Sequence, residues 1–471
     1  MRMMAVLTSS TDPLEAVLHR ARPKLERSFR QNGLTTEEAE RVLLDAIGWL
    51  ESPSGLVRGA GRQLERRVDE ASRRPVTGDP TDRSLAGYQP AFDGLTEYLR
   101  RKRRERERVR AEYLQRIAEV DPRSTGWSLA FGDLPYSSEL VLALLEHVWE
   151  LCRTDPRLAV ETADTVRALL GKFPRESREG PLVADLTARA DAYTANAHRI
   201  LGDFWQADRY FGSAEEALGQ GTGDPRERAV ILMLLGTLRR DQRRFPEAIR
   251  HLQQAAAIYR WAGETHLAGR VYASLAIVQS YSGHPELAIP LAKRAAELID
   301  PAREPRIEGV IKQNLVHYLC ESGHASEARE RLPEARRLFQ QHGTPSDLRR
   351  IRWNEAEIAI ALGDRETGER IFAELREEYA RVGDSFNAAL ISLELVAVYL
   401  EQGRTADAKR LAAESLPIFQ SLEIHRETLA ALIALQRATE VETATAGVVR
   451  ELLERMRRGN AAPPPRPENP S

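Results

Sequence analysis

The stretch Leu315-Val316-His317-Tyr318-Leu319-Cys320-Glu321-Ser322-Gly323-His324-Ala325-Ser326-Glu327-Ala328 decides the fold, because it returns at a fixed step. Forty residues upstream the same slots hold Leu275, Gly283 and Ala288, and eighty downstream they hold Leu395, Gly403 and Ala408. Gly363 with Gly368 fills the copy between, Gly202 with Ala207 lies further upstream, and Arg243 with Ala248 occupies the slot where the glycine is missing. A glycine can take positive φ in a tight interhelical turn, and a small residue five positions later lets two helix backbones approach closely. Three more columns keep the step: Tyr259, Ile299, Phe339, Tyr379 and Phe419; Phe211, Leu252, Ala292, Leu332, Phe372 and Ala412; Ala214, Ala255, Ala295, Ala335, Leu375 and Ser415. Bulky columns fill the space between hairpins and small columns set their spacing. Glu355 breaks the leucine column, so either an arginine partners it, Arg352 or one from a neighbouring helix, or the unit is rotated; a structural ion pair is the expected reading and a ligand contact the alternative.

The order Gly…Ala-x₃-Phe…Ala, best kept at Leu235-Gly236, Ala248 and Ala255 and at Ala207, Phe211 and Ala214, resembles the tetratricopeptide repeat. The resemblance covers roughly residues 185 to 440 and departs from that family in its longer period. It implies an all-α protein, a right-handed α-solenoid of stacked helix hairpins, preceded here by a small N-terminal helical module. Second turns fall at Arg260-Trp261-Ala262-Gly263-Glu264 and Arg381-Val382-Gly383-Asp384.

Residues 1–74 read as the helical module, 75–97 as a Pro- and Gly-containing linker, 98–136 as a basic helix and connector, and 137–458 as the solenoid. Within the solenoid, 138–170 is a degenerate first unit, about 185–425 holds the clear units, and 427–458 is a C-terminal capping pair with a polar outer face. Residues 459–471 form a Pro-rich tail. In the module, Thr35-Thr36-Glu37-Glu38 is a helix start signal. The segment from Leu34 to Ile47 faintly looks like the second region of bacterial sigma factors, without the aromatic cluster that melts DNA.

The formal net charge is −2 with 29% charged residues, which excludes a global attraction to nucleic acid or to an anionic membrane. Two cysteines, Cys152 and Cys320, set in apolar helical stretches point to a reducing cytoplasm rather than a disulfide framework. The start is too short in apolar length for a signal peptide, and no run is long enough to span a membrane. No phosphate loop, HExxH, CxxC or GxSxG motif occurs, so the reading is a non-enzymatic protein with no cofactor and no metal.

One local charge feature stands out. Arg100, Arg101, Lys102, Arg103 and Arg104 open an eleven-residue segment ending at Arg110 in which eight residues are basic, a candidate phosphate-binding helix. Glu105, Glu107 and Glu112 offset it in the alternative reading as a solvated connecting helix.

The tetratricopeptide resemblance implies that first helices line a concave groove. By register its slots carry Arg189, Asn196 and Arg199; Met233, Thr237 and Arg240; Arg270, Ile277 and Tyr281; Gln313 and His317; and Arg350, Trp353 and Glu357. Such groups can hydrogen-bond an extended peptide and clamp acidic side chains, with Arg and Trp as anchors. The expected function is an interaction adaptor holding a protein or peptide in the groove. The alternative is a regulator whose N-terminal module contacts DNA or RNA polymerase while the solenoid senses a partner.

Overall fold

The computed structural model describes residues 13–32, 34–50, 68, 88–119, 138–173, 180–421 and 446–459. Eighteen helices are found among them, and no strand. In chain order they are α1 (Pro13–Asn32), α2 (Thr36–Leu50), α3 (Gln89–Glu119), α4 (Ser138–Thr154), α5 (Pro156–Leu170), α6 (Gly180–Ile200), α7 (Phe204–Gly219), α8 (Pro225–Asp241) and α9 (Phe245–Trp261). There follow α10 (Thr265–Tyr281), α11 (Pro285–Leu298), α12 (Pro305–Glu321), α13 (Ala325–His342), α14 (Pro345–Ala361), α15 (Arg365–Arg381), α16 (Ser385–Glu401), α17 (Thr405–Ser421) and α18 (Ala446–Gly459). Most of the expected linker, the connector after Glu119, the first half of the C-terminal pair and the Pro-rich tail past Gly459 lie outside the described residues.

The turn column behaves as its chemistry demands. Gly202, Gly283, Gly323, Gly363 and Gly403 all sit at φ between 72° and 91°, and Arg243 adopts φ 60° in the same slot. The small column is fully buried at Ala207, Ala248, Ala288, Ala328 and Ala408. At Gly368 a Cβ would stand 2.4 Å from Ile360 Cγ1 and 3.1 Å from the Ala356 carbonyl oxygen, so α15 crosses α14 too closely for a side chain. Phe211, Leu252, Phe339, Phe372 and Tyr379 fill the hairpin interiors. Aspartates cap the following helices where the register supplies them: Asp203 accepts from the Gln206 amide, Asp364 from Thr367 and Asp384 from Asn387.

Two compact units result. The first contains Leu7–Leu238 with Ala257–Glu264, the second Arg239–Ala256 with Thr265–Pro464. In the second, α10–α11, α12–α13, α14–α15 and α16–α17 pair as hairpins, and each pair packs on the next. In the first, α4–α5 and α6–α7 pair in the same way, with Ala159, Ala163 and Val166 fully buried.

The N-terminal helices of that first unit enclose a core of their own, in which Phe29, Leu25, Leu43, Phe92 and Leu95 are buried. Thr35 and Glu38 form the expected capping box, Thr35 Oγ1 accepting from the Glu38 amide and Glu38 Oε2 from the Thr35 amide. Helix α3 begins at Gln89, inside the segment expected to be linker. The reason is apolar spacing: Ala91, Phe92, Leu95 and Leu99 line one face and are buried with α1 and α2. One helix therefore carries both the last side of this core and the basic segment.

Candidate functional site

In the second unit the ends of successive first helices meet through polar side chains about one period apart. Ser280 Oγ on α10 donates to Glu321 Oε2 on α12 at 3.1 Å. His317, one turn back on α12, sets Nε2 3.4 Å from Glu321 Oε1 and Nδ1 3.4 Å from Glu357 Oε2 on α14. Glu357 in turn accepts from Trp353 Nε1 at 3.0 Å and from Asn354 Nδ2 at 3.1 Å. Asn354 Oδ1 accepts from Gln313 Nε2 at 2.7 Å, closing the path back to α12. Both amides of that last pair are buried, so their mutual bond satisfies groups that water does not reach.

Beside this network lies a cavity of about 490 Å³. Its polar wall is made by Glu321, Glu357, Glu394 and Glu401 with Arg365 and Arg450, and its apolar wall by Ile360, Phe372, Ala397, Val398 and Leu453. Glu401 is held by Arg365 at 3.4 Å and by Arg450 of α18. Carboxylates thus outnumber arginines, opposite in sign to the acid-clamping face expected from the register.

The expected groove residues separate into distinct environments. Gln313, His317, Trp353 and Glu357 come together in the network. Trp353 also packs edge-on against Phe372 and Tyr379, with centroids 6.1 and 6.4 Å away, so its ring belongs to the hairpin interior and its indole N–H to the face. Tyr281 is 40% exposed with the Arg240 guanidinium 5.9 Å from its ring centroid. Arg350 is exposed. Arg270 is drawn to the start of α12, where it meets Glu304 at 3.1 Å beside His266. Burial pushes the Glu304 carboxyl up, but these two partners hold it below its usual range.

In the first unit, Arg189 forms a two-pronged pair with Glu227, and Asn196 is buried and accepts from Arg199 Nε at 3.0 Å. Met233 is buried and Thr237 bonds back to the Met233 carbonyl.

Glu321, Glu394, Glu401 and Arg450 were not among the expected site residues. A signal existed: Tyr281, Glu321, Ala361 and Glu401 share the slot two residues before the turn glycine. Glu355, the column break, pairs with Arg336 on α13, while Arg352 turns instead to Glu374 and Glu378.

The basic segment of α3 is largely engaged within the chain. Arg103 pairs with Glu107 at 2.7 Å, Arg104 with Glu97 at 2.6 Å and Arg110 with Glu139 and Glu146 of α4, while Arg101 lies over the Tyr98 ring. The Cys152 thiol, buried and aimed at the Tyr193 carbonyl, is pushed up to about 12 by desolvation, which favours the neutral thiol over the thiolate. Among the described residues no group of His, Cys, Asp and Glu is arranged to hold a metal, and no helix is long and apolar enough to cross a membrane.

Residues 227–299 match the family model for the tetratricopeptide repeat. The chain is a tetratricopeptide-like helical repeat protein. Among solved structures, this repeat protein is similar to a Rap protein complexed with Competence and Sporulation Factor, at 14% identity and a TM-score of 0.53 over 68% of this chain and 87% of that one. It is more distantly similar to NprR in complex with its cognate peptide NprX, at 12% identity and a TM-score of 0.47 over 68% and 91% of the two chains. Aspartyl phosphate phosphatase F from Bacillus subtilis aligns at 13% identity and a TM-score of 0.47 over 89% and 97%. At such identities the likeness is one of fold. No curated protein matches the sequence.

Proposed function

We propose that this repeat protein is a non-enzymatic interaction scaffold that takes a protein or peptide on the first-helix face of its second unit. The observation that carries the reading is the cross-linked face itself. Gln313, His317, Trp353 and Glu357 hold one another at 2.7–3.4 Å across α12 and α14, next to a cavity with both apolar and charged walls. Side chains fixed in this way lose little entropy when a partner arrives, which favours recognition. Arg103, Arg104, Arg108 and Arg110, half of the basic residues in the α3 segment, are met by glutamates, which gives the nucleic-acid reading little support.

Affinity capture from the native host tests the proposal with three immobilised forms of the chain. Tyr281→Ala combined with Glu357→Gln should lose the captured partner, and Arg101, Arg103 and Arg104 all changed to Gln should keep it. The reverse pattern would transfer the interaction to the N-terminal helices and overturn the proposal.

A further inference from the structure

The cavity beside the network is closed on one side by the chain itself. Helix α18 packs on α16, a first helix, and Val449, Leu452 and Leu453 enter the same apolar cluster as Leu395, Val396 and Tyr399. Spacing of i, i+3 and i+4 puts these three on one stripe of α18. Arg450, next to the stripe, pairs with Glu401 at the cavity wall. Among the described residues no comparable packing of α18 on α17 accompanies it, whereas α12, α14 and α16 each pack chiefly on the second helix of the preceding hairpin. So α18 does not sit as the next first helix would. It lies on the face that elsewhere presents first-helix side chains.

We propose that this face is a receptor for a basic amphipathic helix, and that α18 is the chain's own occupant of it, displaced when a partner helix of the same chemistry binds. This rests on the reading that the first-helix face of the second unit takes a partner. Two features fix the chemistry. The apolar wall of Ile360, Phe372, Ala397 and Val398 accepts a leucine-type stripe, and the glutamates Glu321, Glu357, Glu394 and Glu401 against the single Arg365 on the receiving helices favour cationic side chains. The sequence of α18 is itself of this kind, with four arginines against two glutamates over Ala446–Gly459. Among the described residues α18 enters the cluster through three apolar side chains with one half-exposed ion pair beside them, a contact set confined to one helix, and such terminal elements open locally before the whole fold does.

The probe is a fluorescein-labelled synthetic peptide of residues 446–459, added in trans to the full-length chain. In the wild-type chain α18 already occupies the site and should reduce the apparent affinity. Full-length Arg450→Glu with Leu453→Asp should release α18 and bind the peptide about tenfold more tightly than wild type or better. Adding Glu401→Gln to that variant, which removes the carboxylate without offering α18 a new partner, should abolish the gain. Equal peptide affinity in released and wild-type chains, with helical circular dichroism intact in both, would overturn the proposal. Hydrogen exchange on the wild-type chain gives a second measure that requires no substitution. Amides of α18 should exchange about tenfold faster than those of α16 or more, through local undocking. Equal protection would make α18 a permanent cap and likewise overturn the proposal. The host-capture experiment substitutes Tyr281 and Glu357 and keeps Val449, Arg450, Leu452, Leu453 and Glu401, the residues that dock α18, so failure of the peptide test and failure of the scaffold reading are distinct results.

Discussion

Arg243 holds in its backbone the conformation that Gly283 holds one repeat later, φ 60° against 91°. In both hairpins the turn residue donates its amide to a first-helix carbonyl three residues back, Arg243 to Arg240 and Gly283 to Ser280, each at 2.9 Å. The turn geometry is therefore imposed by the stacking of helices, and a side chain at this slot is carried as strain.

That strain is measurable. A non-glycine residue in the left-handed region costs about 1–2 kcal/mol, and glycine's greater freedom in the unfolded chain offsets about 0.5–1 of it. Arg243→Gly should accordingly stabilise the protein by about 0.5–1 kcal/mol in urea unfolding. Gly363→Ala, at φ 90°, should destabilise it by about 1 kcal/mol or more.

Close helix approach sets the second expectation. Ala288 and Ala328 are fully buried where the second helix of a hairpin meets the first, and a larger side chain there must push the helices apart. Leu at either position should destabilise by about 1–3 kcal/mol, while Ala373→Leu, on the exposed face of α15, should leave the melting temperature nearly unchanged. Unchanged melting temperatures for both column variants would mean that the register is wrong.

Glu355 offers a test of the opposite sign. It stands in the leucine column with 19% of its side chain exposed, paired to an Arg336 that is 45% exposed. Replacing a partly buried ion pair by a leucine that packs is often neutral or stabilising, and the freed arginine remains hydrated. Glu355→Leu should leave stability within about 1 kcal/mol of wild type or raise it. A loss above about 3 kcal/mol would show that the carboxylate is structurally required.

The Asp185 carboxyl carries a pH signature. Burial pushes it up to about 7, with Glu227 and Asp224 adding to the effect and the bonds from Thr222 opposing it. The folded state thus holds a proton that the unfolded chain releases near 3.8, so this group's contribution is full at low pH and is lost as pH rises from about 4 to about 7. His147, lowered by burial, acts in the opposite sense, losing stability as pH falls below 6.5. The difference between wild type and Asp185→Asn isolates the carboxyl. From pH 4.5 to 7.5 the variant should lose less stability than wild type, by on the order of 2 kcal/mol in urea unfolding.

The period of this protein was legible in its sequence because every element of the repeat is enforced locally. A turn needs glycine, a helix crossing needs alanine, and a hairpin interior needs Leu, Phe or Tyr, so Gly323, Ala328 and Phe339 announce a unit whatever its neighbours do. The capping box at Thr35 and Glu38 was readable for the same reason, since both partners lie within one helical turn. Side-chain pairing across repeats was only half legible. Register placed Gln313, His317, Trp353 and Glu357 on corresponding faces, but their joining into one network depends on how far α14 is rotated and shifted against α12, which the packing of Trp353 on Phe372 and Tyr379 decides. The same holds for Glu355, whose partner Arg336 became clear only once α13 and α14 were set side by side. The docking of α18 on α16 was not written in the period at all. Its apolar stripe fits any hydrophobic face, and only the tertiary structure selects the one beside Glu401, where an apolar wall and a carboxylate occur together.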